Sequence, residues 1–322
     1  MATPWRTLKL AVASCALASS IAFAQSYPTK PIRVVTSEPG GGNDFAARTI
    51  GQAVAPKLGQ PWVVDNRGGA GGAIAAEAVA RAPADGYTLL VYAANIWYIP
   101  LMRSNVPYDP IRDFAPITWA SRSPNTVVVH PTLPVKSMKE LVALAKAKPG
   151  QLSYASGGTG SSTQLSVELF KSMAKVDILR VPYKANAPAI NDLIAGNTQL
   201  MFPTASTVAP HIKSGRLRAL AVTSAEPSPL APGLPTVAAA ANLPGYESIS
   251  MYGVFAPAKT PPAIVQRLNQ VIVEALNLPE VRERFFNIGV EVVGSTPEQF
   301  AAVIKSDMAR MAKVIKEAGI RE

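Results

Sequence analysis

Cysteine and histidine are almost absent from this sequence of 322 residues, which contains one cysteine and two histidines. The cysteine, Cys15, lies in an apolar N-terminal segment, so the rest of the chain has no thiol and no disulfide. The histidines, His130 and His211, are far apart in sequence and belong to no spaced cysteine or acidic cluster. The sequence therefore predicts no metal site and no bound cofactor.

Motifs of nucleotide-binding proteins and of hydrolases are missing as well. The glycine-rich segments lack G-x-G-x-x-G spacing, and no Gly-Lys-Ser/Thr follows any of them. The sequence also has no G-x-S-x-G nucleophile elbow. We therefore predict a binding protein rather than an enzyme. One alternative stays open, a secreted serine hydrolase that uses a serine of residues 156–162, such as Ser161, because spacing alone cannot exclude a triad assembled in space.

Acidic residues are outnumbered by basic ones, 21 against 31, which gives a formal charge of +10. The basic residues are scattered and form no run of five, which disfavours nucleic acid as a partner. A dispersed positive charge is better suited to attracting small anions.

The N-terminus has the pattern of an export signal. Arg6 and Lys9 precede a short apolar run over residues 10–23, and Ala22 and Ala24 form an A-x-A cleavage site. We expect a signal peptide of residues 1–24, cleaved after Ala24, and a periplasmic mature protein. Lipidation at Cys15 is the alternative. No later apolar run is long enough to cross a bilayer.

The remaining chain alternates β-branched runs with helical stretches, a pattern that predicts an α/β fold with largely parallel sheets. The pattern occurs twice and is followed by a Pro/Ala/Gly-rich connector at 226–245, a strand and three helices that each begin with proline. The predicted strands are 32–36, 62–64 and 87–92 in the first block, 126–130, 152–155, 178–181, 200–202 and 217–222 in the second, and 250–256.

Two glycine-rich turns lie between a strand and a helix, one in each block. Residues 38–44 (EPGGGND) precede the first helix, and residues 156–162 (SGGTGSS) occupy the same place in the second block. Backbone N–H groups at a helix N-terminus favour an anion, although each turn alone could be a plain connection. If two lobes face each other, the two turns would hold a carboxylate between them. The candidate residues are Ser37, Pro39, Gly40, Gly41, Asn43, Asp44, Ser156, Gly158, Thr159 and Ser161.

Other polar residues follow strands on the same predicted side. Asn95 comes after the strand at 87–92, Tyr183 and Asn186 after 178–181, and Thr204 after 200–202. All four are candidate ligand-binding residues. The aromatic residues at 97 and 98 either line the cleft or belong to the core, and core is the more common place for such side chains.

The order of short motifs along the chain resembles the Bug family of periplasmic solute-binding proteins, the receptors of tripartite tricarboxylate transporters. The motifs that carry the resemblance are YPTKPI at 27–32, PGG with Asp44 and Ala47-Arg48, NR with GAGG at 66–72, DGYTLL at 85–90, KPG at 148–150, ELF at 168–170, VPYK at 181–184 and TP at 296–297.

The resemblance implies a type II periplasmic-binding-protein fold, with two lobes joined by two crossing strands near 126–130 and 250–256. Lobe 1 would comprise residues 25–125 and 251–322, and lobe 2 residues 126–250. It also implies a small carboxylate ligand, the membrane subunits of a tripartite tricarboxylate transporter as partners, and a monomeric receptor. Ser37, Gln164, Pro203 and Met251 depart from the family pattern. The identity of the ligand therefore cannot be inferred from that of a relative. Trp97 and Tyr98 suggest a larger or aromatic carboxylate.

Overall fold

The computed structural model describes residues 27–321. The expected signal peptide, its cleavage site after Ala24 and Cys15 lie outside the described residues. The strands are β1 (Ile32–Thr36), β2 (Trp62–Asn66), β3 (Thr88–Ala93), β4 (Phe114–Pro124), β5 (Thr126–Val129), β6 (Ser153–Ser156), β7 (Leu179–Pro182), β8 (Leu200–Met201), β9 (Arg218–Val222), β10 (Ile249–Pro257) and β11 (Glu291–Val292).

Helices separate most of these strands, as the alternating pattern predicts. They are α1 (Gly42–Leu58), α2 (Ala73–Ala80), α3 (Asn95–Met102), α4 (Met138–Ala147), α5 (Ser162–Ala174), α6 (Asn186–Ile194), α7 (Ala205–Lys213), α8 (Val237–Ala240), α9 (Pro262–Leu276), α10 (Pro279–Asn287) and α11 (Pro297–Glu317).

The first sheet has six strands in the order β11-β4-β10-β3-β1-β2. Strand β1 lies parallel to β2 and β3, while β10 runs antiparallel to β3 and β4. The central strands of this sheet are buried on both faces. Val34 packs with α1, α9 and α10, and the next residue, Val35, packs in the core under α2, α3 and α11. Covered faces explain why these strands are continuous apolar runs.

The second sheet has five strands in the order β7-β6-β8-β5-β9. One core cluster joins this sheet to the first, because it contains Val127 and Phe170 together with Leu90 and Phe255. A smaller cluster around Val128 lies on the opposite face, under α6 and α7. The two sheets therefore share one core cluster between them, and each has a further cluster on its outer face.

The two sheets are connected where β4 continues through Asn125 into β5, and where the chain returns to β10. Asn125 is fully buried, and its backbone bonds with Thr223, whose carbonyl in turn accepts from Ser248 N. Strand β4, which leads into the crossing expected at 126–130, begins twelve residues before it, at Phe114, and the sequence did not predict this strand. Pro116 and Pro124 obscure β4 in the sequence, and antiparallel pairing with β10 determines it.

Helix α11 contacts helices that flank both sheets. Thr296 and Gln299 form a capping box at its start, and Pro297 occupies the first turn, where no N–H is needed. Its apolar face, which the helical spacing of Phe300, Ile304 and Met311 predicts, is buried against α3 and α5. Since α3 belongs to the first sheet and α5 to the second, α11 packs on both.

Candidate functional site

A cavity of about 290 Å³ lies between the two sheets. Its walls are the turn from β3 into α3, the turn from β6 into α5, and the first residues of β10. None of the described residues that line it carries a formal charge. They are Gly71, Ala93, Ala94, Asn95, Tyr98, Ile99, Met102, Gly158, Thr159, Gly160, Ser161, Ser162, Leu165, Ser248, Ile249 and Ser250.

The glycine-rich turn before α5 is held at both ends and open in the middle. Gly157 N donates to Thr163 Oγ1 at 2.9 Å, and Gly160 N donates to Gln164 Oε1 at 2.9 Å. Between them, the N–H groups of Gly158 and Thr159 have no acceptor among residues 27–321. Two backbone donors at a helix N-terminus, beside a cavity, form a site suited to an anion.

Gln164 is one of the departures from the family pattern, and the structure gives it a local role. Its side chain is buried and accepts the hydrogen bond from Gly160 N. Ser161 caps α5 by accepting from Gln164 N, and its hydroxyl also lies 2.9 Å from Thr163 Oγ1. These bonds fix the turn without using the donors that face the cavity.

The opposite wall is the start of α3, a helix that the sequence did not predict because its eight residues, NIWYIPLM, contain Pro100 and several residues common in strands. Ala94 N donates to Met251 O, whereas the N–H groups of Asn95 and Ile96 have no acceptor in the part of the chain that the structure describes. The Asn95 side chain donates to Gly71 O. The N-terminus of α3 therefore faces the same cavity as that of α5.

Helix α3 is anchored from behind by a buried carboxylate. Asp307, on α11, accepts from Trp97 Nε1 at 2.9 Å and from the Tyr98 hydroxyl at 2.5 Å. It also accepts from Arg310 Nη2 at 2.6 Å. Burial, followed by the neighbouring Asp307 carboxylate, holds the pKa of Tyr98 well above its ordinary value. The Tyr98 hydroxyl is thus a neutral group committed to Asp307.

This arrangement bears on the hypothesis that Trp97 and Tyr98 accommodate an aromatic ligand. Trp97 is fully buried and packs edge-on against Phe255 and Phe300, with ring centroids 6.2 Å apart in each pair. It does not line the cavity, so it belongs to the core. Tyr98 does line the cavity, but with its hydroxyl occupied.

The first glycine-rich turn faces a second cavity of about 280 Å³. Gly40, Gly41 and Thr204 line it together with Tyr252, whose hydroxyl lies close to Gly42. The sequence predicted that the turns before α1 and α5 would face each other across the ligand. In this structure the α5 turn is paired with the start of α3 instead, and the α1 turn lies beside a separate space.

Asp44 stabilises the first turn rather than facing either cavity. Its buried carboxylate accepts from Gly40 N at 3.0 Å, from Arg48 Nε at 2.9 Å and from Asn66 Nδ2 at 2.8 Å. Burial alone would raise the pKa of Asp44, but the hydrogen bonds from Arg48, Asn66 and Gly40 outweigh it and hold this pKa below its ordinary value. Asp44 is therefore ionised and internally satisfied.

The other candidate residues line neither cavity. Ser37 is buried and accepts from Asn66 Nδ2 through its carbonyl, and Pro39 and Asn43 flank the same turn. Ser156 is fully buried behind the second turn. The Tyr183 hydroxyl donates to Asp192 at 2.5 Å. Asn186 Oδ1 accepts from Thr163 Oγ1 at 3.3 Å. Burial, followed by the Asp192 carboxylate, raises the pKa of Tyr183 to about 12.

The cavity also contains residues that the sequence did not predict. Ile99, Met102, Leu165 and Ile249 form its apolar wall, and Ser248 and Ser250 add hydroxyl groups from the crossing segment. Most of them belong to elements that the sequence pattern missed or placed only approximately. Met102 also contacts the opposite wall, because a Cβ at Gly160 would lie 2.7 Å from its terminal methyl carbon.

The geometry does not support the hydrolase alternative. The Ser161 hydroxyl is engaged with Thr163 and Gln164 N, and neither His130 nor His211 hydrogen-bonds to it. Within residues 27–321 no group of three or more His, Cys, Asp or Glu side chains could hold a metal ion. No helix in that range combines the length and the apolar character needed to span a bilayer.

Two α/β lobes joined by crossing strands, with an uncharged cavity between them, define the molecule as a two-lobed solute-binding protein. Comparison with known proteins then places it more closely. Residues 46–320 match the model of the tripartite tricarboxylate transporter family receptor. The chain belongs to this family, so it is a substrate-binding receptor and not an enzyme.

Individual relatives cover almost the whole chain. A UPF0065 protein in the tcbD-tcbE intergenic region of a Pseudomonas species is 38% identical, with 96% of this chain and 93% of the relative aligned. Protein BugT of Bordetella pertussis is 35% identical, with 96% and 95% aligned. These relatives confirm the resemblance to the Bug family.

Solved structures confirm the type II periplasmic-binding-protein fold. Rpa4515 of R. palustris, solved with adipate, is 37% identical and superposes with a TM-score of 0.75 over 92% of this chain and 99% of that one. MatC of Rhodopseudomonas palustris, solved with bound malate, is 30% identical, with a TM-score of 0.72 over 90% and 100%.

Proposed function

We propose that this receptor captures a small aliphatic carboxylate in the periplasm and delivers it to the membrane subunits of a tripartite tricarboxylate transporter. The observation that carries the proposal is the uncharged cavity between the N-termini of α3 and α5. Three residues that line it, Asn95, Gly158 and Thr159, have backbone N–H groups with no acceptor within the described residues. Such groups attract a carboxylate without a fixed counter-charge.

The walls of the cavity suggest the body of the ligand. Ile99, Met102 and Leu165 offer an apolar surface that fits a methylene chain, whereas a ligand with many hydroxyl groups would leave several of them unpaired. The volume of about 290 Å³ is near the lower end of the range for ligand pockets, which favours a small molecule. Adipate and malate, bound by two structural relatives, are therefore suitable first candidates.

The proposal includes the organisation inferred from the sequence. Residues 1–24 would direct export and be removed, and the mature receptor would act as a monomer. Residues 25–125 with 251–322, and residues 126–250, would form the two lobes that enclose the ligand. The split of the cavity wall between α3 and α5, which flank different sheets, supports this division.

Thermal unfolding of the mature protein with a panel of carboxylates tests the proposal. We expect adipate or malate to raise the melting temperature, with a stabilisation of about 2.7 kcal/mol at a hundredfold excess over Kd. Adipamide, which has the same chain without charge, is the matched control and should have little effect. If no mono-, di- or tricarboxylate shifts the transition, or if adipamide acts as well as adipate, the proposed function is wrong.

A further inference from the structure

Arg180 lies directly behind the turn that lines the ligand cavity. It is on β7, next to Tyr154 of β6 in the parallel register. Its Nε donates to Ser156 Oγ at 2.9 Å, and its Nη2 donates to Gly157 O at 3.2 Å. The guanidinium forms no ion pair with any carboxylate among residues 27–321. Its positive charge is thus directed at the turn.

The carbonyl that Arg180 contacts belongs to the same peptide unit as the N–H of Gly158. This peptide bond is trans, so its C=O and N–H point in opposite directions. The C=O of Gly157 points back towards Arg180, and it also accepts from Ser156 Oγ at 3.2 Å. The N–H of Gly158 therefore points away from Arg180, on the side where Gly158 lines the ligand cavity.

The two sides of the turn are separate spaces. Arg180 lines a wider cavity of about 540 Å³ together with Lys171 and Lys175, and Thr159 is the residue that lines both spaces. Lys171 is paired with Glu168 at 3.1 Å and does not contact the turn. Arg180 is therefore one peptide unit away from the ligand cavity without being part of its lining.

We infer that Arg180 is a positioning and specificity-determining residue, which makes the Gly158 N–H a stronger donor and so confers preference for a carboxylate over a neutral ligand. A charged donor on the carbonyl polarises the amide, and hydrogen bonds in such a chain strengthen one another. Arg180 also fixes the orientation of that amide when the cavity is empty. The inference rests on the proposed function, since it assumes that the cavity binds a carboxylate.

Paired substitutions separate the charge of Arg180 from its structural role. Arg180→Gln keeps a hydrogen-bond donor at the position of Nε and removes both the charge and the Nη2 donor to Gly157 O, whereas Arg180→Lys keeps the charge and loses the planar fork. Lys175→Gln is the matched control, because it removes a positive charge from the same cavity without any contact with the turn. Affinities for adipate and adipamide, or for malate and malamide if wild type binds malate, are measured by calorimetry.

We expect Arg180→Gln to raise Kd for the diacid about tenfold, which corresponds to ~1.4 kcal/mol. Its Kd for the diamide should change much less, so the preference for acid over amide falls. Arg180→Lys should retain most of that preference, and Lys175→Gln all of it. Melting temperatures of the unliganded variants show that each is folded.

Two results would overturn the inference. The first is an unchanged acid-to-amide ratio in Arg180→Gln, including an equal loss for acid and amide, which is the mark of a purely structural role. The second is a Lys175→Gln variant that loses the preference to the same extent. Failure of the proposed function is distinguishable, because wild type itself would then bind no carboxylate.

Discussion

The buried carboxylate of Asp307 provides the strongest test of how the cavity is supported. Only 2% of the residue is exposed, and it accepts hydrogen bonds from Trp97, Tyr98 and Arg310. Trp97 and Tyr98 directly follow the N-terminal residues of α3. Replacing Asp307 with alanine should therefore weaken both the packing of α11 on α3 and the wall of the cavity.

The expected loss follows from what the substitution leaves behind. Removing one partner of a buried ion pair costs about 3–5 kcal/mol, because the other charge remains without compensation. Arg310 keeps partial compensation, since its side chain is 27% exposed and Glu247 lies 3.6 Å away. We therefore expect Asp307→Ala to lower the free energy of unfolding by about 3 kcal/mol, at the lower end of that range.

Urea unfolding of the mature protein measures this loss as a shift in midpoint at constant slope. Glu77→Gln is a suitable control, because the Glu77–Arg81 pair is an exposed i,i+4 pair at 2.8 Å and should be worth only about 0.3–0.5 kcal/mol. In combination with Arg310→Met, the loss should be less than additive, with a coupling of about 1 kcal/mol or more. The Kd for the carboxylate should also rise in Asp307→Ala.

A loss below about 1 kcal/mol for Asp307→Ala, or full additivity with Arg310→Met, would refute this reasoning. It would mean that the triad of hydrogen bonds contributes no more than an exposed pair. In that case the position of α3 would depend on the apolar packing of Trp97 against Phe255 and Phe300 alone.

Two further predictions concern the glycine-rich turns. Gly158→Val should reduce carboxylate affinity at least about tenfold, because the larger side chain would narrow the cavity. Its stability should change little, because a Cβ at Gly158 would meet no atom within 4 Å. Calorimetry measures the affinity and urea unfolding the stability, and unchanged affinity would place the site elsewhere. The pKa of Asp44 in the folded protein is held below its ordinary value of about 3.9. The stability that Asp44 contributes should therefore be fully present above about pH 3.9 and be lost as the pH falls through the lower pKa of the folded state. Asp44→Asn should flatten this acid limb of the stability–pH curve, and equal curves for wild type and variant would contradict the assignment.

Much of the fold could be predicted from the sequence because local signals and tertiary structure agree. Strand β1 is a largely β-branched run, interrupted by Arg33, whose other residues are buried, and α11 combines a capping box with an apolar stripe. Strand β4 and helix α3 could not be predicted, since prolines and mixed residue types obscure them. Pairing with β10 determines the first, and the contacts of Trp97 and Tyr98 with Asp307, about 210 residues away, determine the second.

The structure pairs the helix N-termini at the candidate site differently from the expectation drawn from the sequence. The sequence indicated that helix N-termini bearing free backbone donors would face a ligand, and the turn at 156–162 does line the cavity. Which N-terminus lies opposite depends on how β4 and β10 connect the two sheets, and no local pattern encodes that. The turn before α1 contains three consecutive glycines, yet α3, with no glycine in its first turn, forms the opposite wall.

The absence of charged side chains among the described residues that line the cavity has a consequence for a receptor that must be stable both without and with its ligand. A buried cation without a partner would cost several kcal/mol whenever the ligand is absent. Backbone N–H groups at helix ends cost much less, because water can satisfy them until a carboxylate replaces it. Arg180 fits the same requirement, since its guanidinium donates to Ser156 and Gly157 and lies one peptide unit from the cavity. Placing the charge behind the turn thus combines selectivity for an anion with stability in its absence.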